Sequence, residues 1–178
     1  MRMAILGGAF DPPHLGHVAL AEGALSALGA DRLLVLVIES PGHRKTELDA
    51  EIRVELARLA FANLADEVRL DDHAYTVDFL RDERPVNAVF VIGSDQWAAF
   101  DTWKEPAEIR RLIPLAVAAR PGEPAPEGDV EVFEIAEHPI SSTQIRERIA
   151  RGEPIDDLVP SLVAREIERR GLYGGGPG

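Results

Sequence analysis

Residues 3–17 read MAILGGAFDPPHLGH, a segment in which an apolar run is followed by glycines, prolines and two histidines. It begins with the apolar run from Met3 to Leu6, which is typical of a strand covered on both faces. Two glycines follow, and helical spacing begins at Leu15. A strand that turns directly into a helix predicts the first unit of a parallel sheet.

Short apolar runs alternate with longer amphipathic stretches along the whole chain. The predicted strands are 3–6, 33–38, 68–70, 88–92, 113–119 and 130–135. The predicted helices are 15–28, 47–64 with Thr46 as its cap, a helix after Thr76, 105–112, a helix beginning within 140–146, and 160–170. This alternation predicts an α/β fold with a doubly wound parallel sheet and helices on both faces. Ligands of such folds bind beyond the carboxyl ends of the strands.

Length and composition limit the possible functions. The 178 residues predict a single domain over 1–173 and a flexible glycine-rich tail over 174–178. The net charge of -12 predicts no nucleic-acid partner and no anionic membrane partner. The chain has no cysteine, which excludes disulfides and thiol nucleophiles. No apolar run is long enough to cross a bilayer, so we expect a cytoplasmic protein. The sequence carries no signal for an oligomeric state.

The first candidate site is the segment between the first strand and the first helix. Gly7 and Gly8 let the backbone approach a ligand closely, since no side chain intrudes. The helix that follows offers unpaired N–H groups and a partial positive charge, which favour a phosphate. His14 and His17 are three residues apart, so they share one face of the first helical turn. Two histidines without further ligands are too few for a zinc site.

The second candidate site is residues 140–146, which read ISSTQIR and precede an amphipathic helix. Ser141 and Gln144 fit a capping box. Successive hydroxyl groups at a helix start also form a cradle for an anion, and Arg146 can donate two parallel hydrogen bonds to phosphate oxygens. Capping and phosphate binding can coexist here.

Both segments resemble one known family. The pattern Gly8-Ala9-Phe10-Asp11-Pro12-Pro13-His14-Leu15-Gly16-His17 is similar to the signature of the HxGH nucleotidyltransferases, and Ile140-Ser141-Ser142-Thr143-Gln144-Ile145-Arg146 is similar to their second motif. The resemblance implies a Rossmann-like fold of nucleotidyltransferase type with ATP as substrate. It assigns catalysis to His14, His17 and Arg146. The residues it implies for ATP binding are Gly8, Ala9, Phe10, His17, Gly93, Asp95, Ser141, Ser142, Thr143 and Arg146.

Further segments resemble one branch of this family, the bacterial nicotinate mononucleotide adenylyltransferases. They are Tyr75-Thr76-Val77-Asp78, Val91-Ile92-Gly93-Ser94-Asp95, Trp103, Ala119-Arg120-Pro121-Gly122 and Gly171-Leu172-Tyr173. The resemblance implies that Thr76 lies near the nicotinate carboxylate and Arg120 near the mononucleotide phosphate. Trp103 can stack on the pyridine ring, and Trp97 is the competing candidate. His14 and either Arg44 or Lys45 complete the implied acceptor site.

The sequence departs from the family pattern at a few positions. Ala9 stands where the family commonly has Ser or Thr, so one hydroxyl contact is lost. Ala74 and Phe79 replace the Ser and Thr that flank the branch segment. After the second strand the chain has Pro41-Gly42-His43-Arg44-Lys45, in which Arg44 aligns with the family lysine while Lys45 is adjacent. His73 and His138 match no motif.

The resemblance also implies a mechanism. The acceptor phosphate attacks the α-phosphorus of ATP in line and pyrophosphate leaves, without a covalent intermediate. Mg²⁺ would bridge the phosphates mostly through water, so no dedicated protein ligands for a metal are expected. Nicotinamide mononucleotide and phosphopantetheine are alternative acceptors for the same chemistry. A nucleotide-sensing protein without turnover is the alternative from another class.

Overall fold

The computed structural model describes residues 1–42, 45–136 and 138–174. Six strands alternate with seven α-helices along the described chain, and short 3₁₀ turns follow α4 and α7. The strands are β1 Met3–Gly8, β2 Arg32–Ile38, β3 Glu67–Asp71, β4 Ala88–Gly93, β5 Leu115–Ala119 and β6 Glu131–Glu134. The helices are α1 Leu15–Ala27, α2 Ala50–Ala60, α3 Thr76–Glu83, α4 Ser94–Ala98, α5 Pro106–Leu112, α6 Ser142–Ala150 and α7 Ser161–Arg170.

All six strands lie in one parallel sheet with the order β3-β2-β1-β4-β5-β6. The chain builds the sheet outward from β1 to β3, then crosses back to β4 on the other side of β1. This reversal opens a crevice beyond the carboxyl ends of β1 and β4, where doubly wound folds bind their ligands. The predicted fold class is confirmed, and the first motif follows β1 at this crevice.

Apolar side chains cover the sheet on both faces. Along β1, Ala4 and Leu6 belong to the core under α1, α2, α6 and α7, while Ile5 belongs to the core under α3 and α5. All three side chains are at most 2% exposed. A strand buried on both faces needs a continuous apolar sequence, and for this reason such strands could be predicted from the sequence. No helix in the described ranges combines the length and the apolar character required to cross a membrane.

Several predicted boundaries were wrong by a few residues. α2 begins at Ala50 rather than at residue 47, and Thr46 is not its cap. The Glu47 N–H donates to the Asp11 carboxylate at 2.6 Å, so this backbone is held by a distant residue and not by a helix. β5 begins at Leu115, after Pro114, and the short helix α4 was not predicted. Residues 175–178 of the predicted tail lie outside the described ranges.

Candidate active site

The first motif forms the loop between β1 and α1. Gly8 ends β1, and a Cβ atom there would lie 3.0 Å from the Phe10 ring. That ring is 1% exposed and packs edge-on against His17 and Phe61, with Phe10 at a φ of 51°. A side chain at position 8 would crowd the Phe10 ring, so glycine suits this position. Phe10 can offer a ligand its backbone only, while Gly8 and Ala9 are partly exposed.

The two histidines of the first motif hold each other through the start of α1. The Nδ1 atom of His14 accepts from the Gly16 N–H at 3.1 Å and from the His17 N–H at 3.4 Å. In return, Nδ1 of His17 accepts from the His14 N–H at 3.1 Å. Because both Nδ1 atoms accept hydrogen bonds, the neutral form of either ring would carry its proton on Nε2. The rings stack with their centroids 3.7 Å apart, so the structure brings these two predicted residues together.

His14 is buried, and its charge state follows from that burial. Loss of solvation lowers the pKa of His14 from 6.5 to about 4, and repulsion from the nearby His138 contributes to the shift. The ring is consequently neutral at pH 7, with Nε2–H as its donor group. A Cβ atom at Gly16 would lie 2.9 Å from the His14 ring, so the glycine between the histidines makes room for this ring.

The second motif docks directly on the first. The Ser142 hydroxyl donates to the Pro12 carbonyl at 2.8 Å, and the Arg146 guanidinium donates to the Asp11 carbonyl at 2.8 Å. The Ser141 hydroxyl caps α6 by accepting from the Gln144 N–H at 3.1 Å, as predicted. The two motifs, separated by about 125 residues, therefore form one continuous surface at the carboxyl end of β1.

Arg146 lies at the centre of this surface. Its Nε atom pairs with the exposed Glu47 carboxylate at 3.0 Å, and its Nη2 atom lies 3.4 Å from the Thr143 hydroxyl. Glu47 is exposed to solvent in this pair, so the pair contributes little to stability and another anion can replace its carboxylate. The guanidinium is thus bonded to the Asp11 carbonyl of the first motif on one side and to the replaceable Glu47 carboxylate on the other.

A buried polar group behind the loop was not predicted from the sequence. The Asp11 side chain is 5% exposed and accepts from the Tyr173 hydroxyl at 2.7 Å as well as from the Glu47 N–H. Burial raises the pKa of the Tyr173 phenol, and the hydrogen bond to Asp11 adds to the shift. Asp11 belongs to the first motif, but nothing in the sequence indicated its hydrogen bond to a residue 162 positions away.

The carboxyl ends of β4 and β5 bring together two further predicted residues. Asp95 follows β4 and Arg120 follows β5, and their side chains form an ion pair at 2.7 Å. Gly93 ends β4, and its N–H donates to the Gln96 side chain at 3.1 Å. Sequence reasoning assigned Asp95 to the ATP and Arg120 to the acceptor, so the pair joins the two predicted subsites.

Thr76 and Trp103 are carried by segments that are tied to each other. Thr76 begins α3, and Trp103 is half-buried against Phe100 with ring centroids 5.3 Å apart. Lys104 pairs with Asp78 in the first turn of α3 at 3.0 Å and lies 4.5 Å above the Tyr75 ring. The residue after Trp103 therefore holds the predicted stacking segment against the start of α3.

Trp97 packs on the same phenylalanine as Trp103. Its ring stacks on Phe100 at 5.4 Å, and Arg110 lies over it at 4.8 Å. Trp97 is half-buried, and its position under Arg110 favours a packing role. Of the two predicted loop cations, Lys45 is exposed, whereas Arg44 lies outside the described residues.

A cluster of potential metal ligands lies at the end of β3, away from the two motifs. Asp71, Asp72 and His73 each place one ligand atom within 4.8 Å of the others. The His73 ring contacts Asp71 at 2.6 Å and Asp82 at 3.1 Å, and these hydrogen bonds raise its pKa. Both ring nitrogens are already engaged, so the cluster is explained by its own hydrogen bonds.

The class of protein follows from this arrangement and from its similarity to known proteins. Residues 5–148 match the cytidylyltransferase-like family. The match includes both the β1–α1 loop and the start of α6, which the fold brings together. The chain belongs to this family, and it is a nucleotidyltransferase.

Within that family, the most similar relatives share one name. A protein from Thermus thermophilus, named as a probable nicotinate-nucleotide adenylyltransferase, is 37% identical over 97% of this chain and 100% of its own length. One of the same name from Chlorobium phaeovibrioides is 35% identical over 98% of this chain and 100% of its own length. This chain belongs with the nicotinate-nucleotide adenylyltransferases.

Solved structures support the fold independently. The Plasmodium falciparum nicotinic acid mononucleotide adenylyltransferase complexed with NaAD superposes with a TM-score of 0.78 at 16% identity, covering 99% of both chains. The same enzyme complexed with APC gives a TM-score of 0.75 at 17% identity, again covering 99% of both chains. At this level of identity the likeness supports the fold alone.

Proposed function

We propose that this chain transfers the adenylyl group of ATP to nicotinate mononucleotide, giving nicotinate adenine dinucleotide and pyrophosphate. The observation that carries the proposal is the docking of the second motif on the first through the bonds from Ser142 to Pro12 and from Arg146 to Asp11. In this proposal, these bonds build one phosphate-binding surface at the carboxyl end of β1. The chain also belongs with the nicotinate-nucleotide adenylyltransferases. The reaction belongs to NAD biosynthesis.

In this proposal the acceptor phosphate attacks the α-phosphorus in line, and the P–O bond to pyrophosphate breaks. His14 and His17 donate Nε2–H bonds to the α-phosphate oxygens as negative charge develops. Preorganised donors of this kind stabilise a transition state without reorganisation during the reaction. The capping bonds that hold both Nδ1 atoms supply that preorganisation.

The leaving phosphates are assigned to the start of α6. Arg146 exchanges its ion pair with Glu47 for the β- and γ-phosphates, and the hydroxyl of Thr143 lies within its reach. Backbone N–H groups at the start of α6 and the exposed hydroxyl of Ser141 add donors. The Ser142 hydroxyl already donates to the Pro12 carbonyl, so its share in the proposal is to hold the two motifs together.

The acceptor is assigned to the β4 and β5 side of the crevice. Trp103 stacks on the pyridine ring, Thr76 lies near its carboxylate, and Arg120 exchanges its pair with Asp95 for the mononucleotide phosphate. Asp95 then accepts from ribose hydroxyls of ATP, while Gly93 leaves open space beside it. Lys45 supplies a further cation.

Mg²⁺ is proposed as the ion that accompanies ATP. Around the two motifs, the Asp11 carboxylate is held by Tyr173 and Glu47, and the Glu47 carboxylate is paired with Arg146. With these carboxylates engaged, the site fits an ion held mainly by phosphates and water. When bound, Mg²⁺ neutralises charge on the phosphates. The proposal places the activity in a single domain over residues 1–173 and in the cytoplasm, where ATP is available.

An acceptor panel tests the proposed function. The protein is incubated with ATP and Mg²⁺ plus nicotinate mononucleotide, nicotinamide mononucleotide or phosphopantetheine, and the products are resolved by chromatography. We expect nicotinate adenine dinucleotide as the preferred product, formed together with pyrophosphate. Preference for another acceptor would overturn the acceptor assignments, and an absence of product with every acceptor would favour a nucleotide-binding protein without turnover.

A further inference from the structure

Arg53 is the largest fully buried side chain of the described protein and carries a positive charge. It lies in the first turn of α2, is 1% exposed, and its side chain points back toward the start of the helix. The guanidinium donates four hydrogen bonds, all to backbone carbonyls. The acceptors are Leu48 at 3.1 Å, Ala9 at 2.8 Å, Ile38 at 2.8 Å and Glu39 at 2.7 Å.

These four carbonyls belong to two separate segments. Ala9 lies in the phosphate loop of the first motif, directly after β1. Ile38 ends β2 and Glu39 directly follows it, while Leu48 lies two residues before α2. The three residues therefore mark the two ends of the connection between β2 and α2. A single side chain thus fixes both ends of that connection and joins them to the phosphate loop.

The arrangement is not one that hydrophobic packing alone would favour. Burying a charge is costly unless it is paired or hydrogen-bonded. Within the described ranges, no carboxylate forms an ion pair with Arg53. Burial lowers its pKa, while Asp11, Glu39 and Glu51 oppose the shift at longer range. A guanidinium keeps its charge and offers five N–H donors in a fixed plane; a lysine ammonium offers three around one point.

We propose that Arg53 is a positioning residue that couples the phosphate loop at Ala9 to the β2–α2 connection, so that the ATP side and the acceptor side of the crevice keep one geometry. The role rests on the proposed function, because both substrates must meet in the crevice beyond the carboxyl ends of the strands. Arg53 touches neither substrate. It acts by fixing the Ala9 carbonyl and thereby the backbone that leads to His14.

The main test variant is Arg53→Lys, which keeps the charge and most of the volume but cannot reach all four carbonyls. Misplacing reacting groups by about 1 Å lowers turnover by about 100-fold. We therefore expect kcat per folded molecule to fall between about 10-fold and 100-fold. Arg58→Lys is the matched control, since Arg58 lies on the same helix, is exposed, and donates one long bond to Val68 at 3.4 Å.

Two further measurements separate positioning from general stability. Tryptic cleavage after the exposed Lys45, under conditions where the fold is intact, should be faster in Arg53→Lys than in the wild type or in Arg58→Lys. In Arg53→Ala, added methylguanidinium should restore part of the lost turnover by refilling the vacated site. Both effects require a direct link between the guanidinium and the connection.

Unchanged kcat in folded Arg53→Lys would overturn the proposal. So would a loss of thermal stability alone, with turnover per folded molecule and cleavage after Lys45 both equal to the wild type. If the wild type forms no dinucleotide with any acceptor, the proposed function fails. The cleavage comparison at Lys45 then still decides whether Arg53 holds the connection.

Discussion

His14 illustrates how one residue combines structure and chemistry. It caps α1 through Nδ1, and the same bond places the ring proton on Nε2, where the proposed reaction needs a donor. Gly16 follows from this geometry, because a Cβ atom would collide with the His14 ring. The sequence pattern predicted the two histidines. It could not explain the glycine between them, since that reason exists only once the ring is folded over the helix start.

The buried His14 predicts a dependence of stability on pH. Its folded-state pKa of about 4 lies below the unfolded value of 6.5, so the unfolded chain binds the proton more readily. Stability should therefore be lost as the pH falls from about 6.5 to about 4, with a limit of roughly 3 kcal/mol from this group. Denaturant unfolding across that range measures it.

His14→Asn is the matched variant, because asparagine is a good N-cap residue and does not titrate. On acidification, the wild type should lose stability relative to this variant. His73 acts in the opposite direction: its pKa is raised, so its contribution is present at low pH and fades as the pH rises through the folded-state value. It is present in both proteins and cancels in the comparison. Equal losses in the two proteins would contradict the assigned pKa of His14.

At the scale of elements, the strands were predictable and some helix ends were not. A strand covered on both faces leaves a continuous apolar run in the sequence, and β1, β2, β4 and β5 all show one. The start of α2 was misplaced because Glu47 is held by Asp11 across 36 residues. The spacing of apolar residues within a segment carries no information about a hydrogen bond to a residue so distant in the sequence. The same limit explains why the hydrogen bonds from Arg53 to the carbonyls of Ala9, Ile38 and Glu39 were not predicted.

The proposed acceptor side of the site depends on the segment between α4 and α5. Trp97 and Trp103 both pack on the same ring, Phe100, at nearly equal distances of 5.4 and 5.3 Å. Arg110 covers Trp97, while Lys104 ties the Trp103 segment to the start of α3. These contacts favour Trp103 as the residue that faces the acceptor.

Trp103→Ala should raise the KM for nicotinate mononucleotide by about tenfold, the effect of losing one aromatic stacking contact. The fall in kcat should be smaller, because the phosphate-binding residues are unchanged. Trp97→Ala is the control and should leave the acceptor KM near the wild-type value. Steady-state kinetics at saturating ATP measure both. A KM unchanged in Trp103→Ala, or raised equally in the two variants, would assign Trp103 to the scaffold.

At the scale of the whole molecule, the site exists because the fold joins distant segments. Ser142 reaches Pro12 across 130 residues, and Tyr173 reaches Asp11 across 162. The motifs themselves could be recognised in the sequence, because each is local and lies at a strand or helix end. Their contact could be expected only from the rule that doubly wound sheets bind ligands at the strand reversal. The hydrogen bonds that join them required the structure.

The charge of the whole chain agrees with a small-molecule site of this kind. With a net charge of -12, the protein repels polyanions over most of its surface. The cations of the site, Arg146 and Arg120, are each held by an exposed carboxylate that a bound phosphate can replace. In the proposed function, phosphates would therefore meet positive charge locally, at Arg146 and Arg120.

The most direct test of the account is the rate at which the wild type and His17→Ala convert α-labelled ATP and nicotinate mononucleotide into labelled nicotinate adenine dinucleotide. Arg58→Lys serves as the control, because Arg58 is exposed on α2 and donates a long hydrogen bond to the Val68 carbonyl at 3.4 Å. We expect the wild type and the control to form the dinucleotide with one pyrophosphate per turnover, and His17→Ala to be slower by about 100-fold to 1,000-fold, the effect of losing one transition-state donor. Equal rates in the wild type and His17→Ala would contradict the account, because the chemistry would then not take place at the paired histidines.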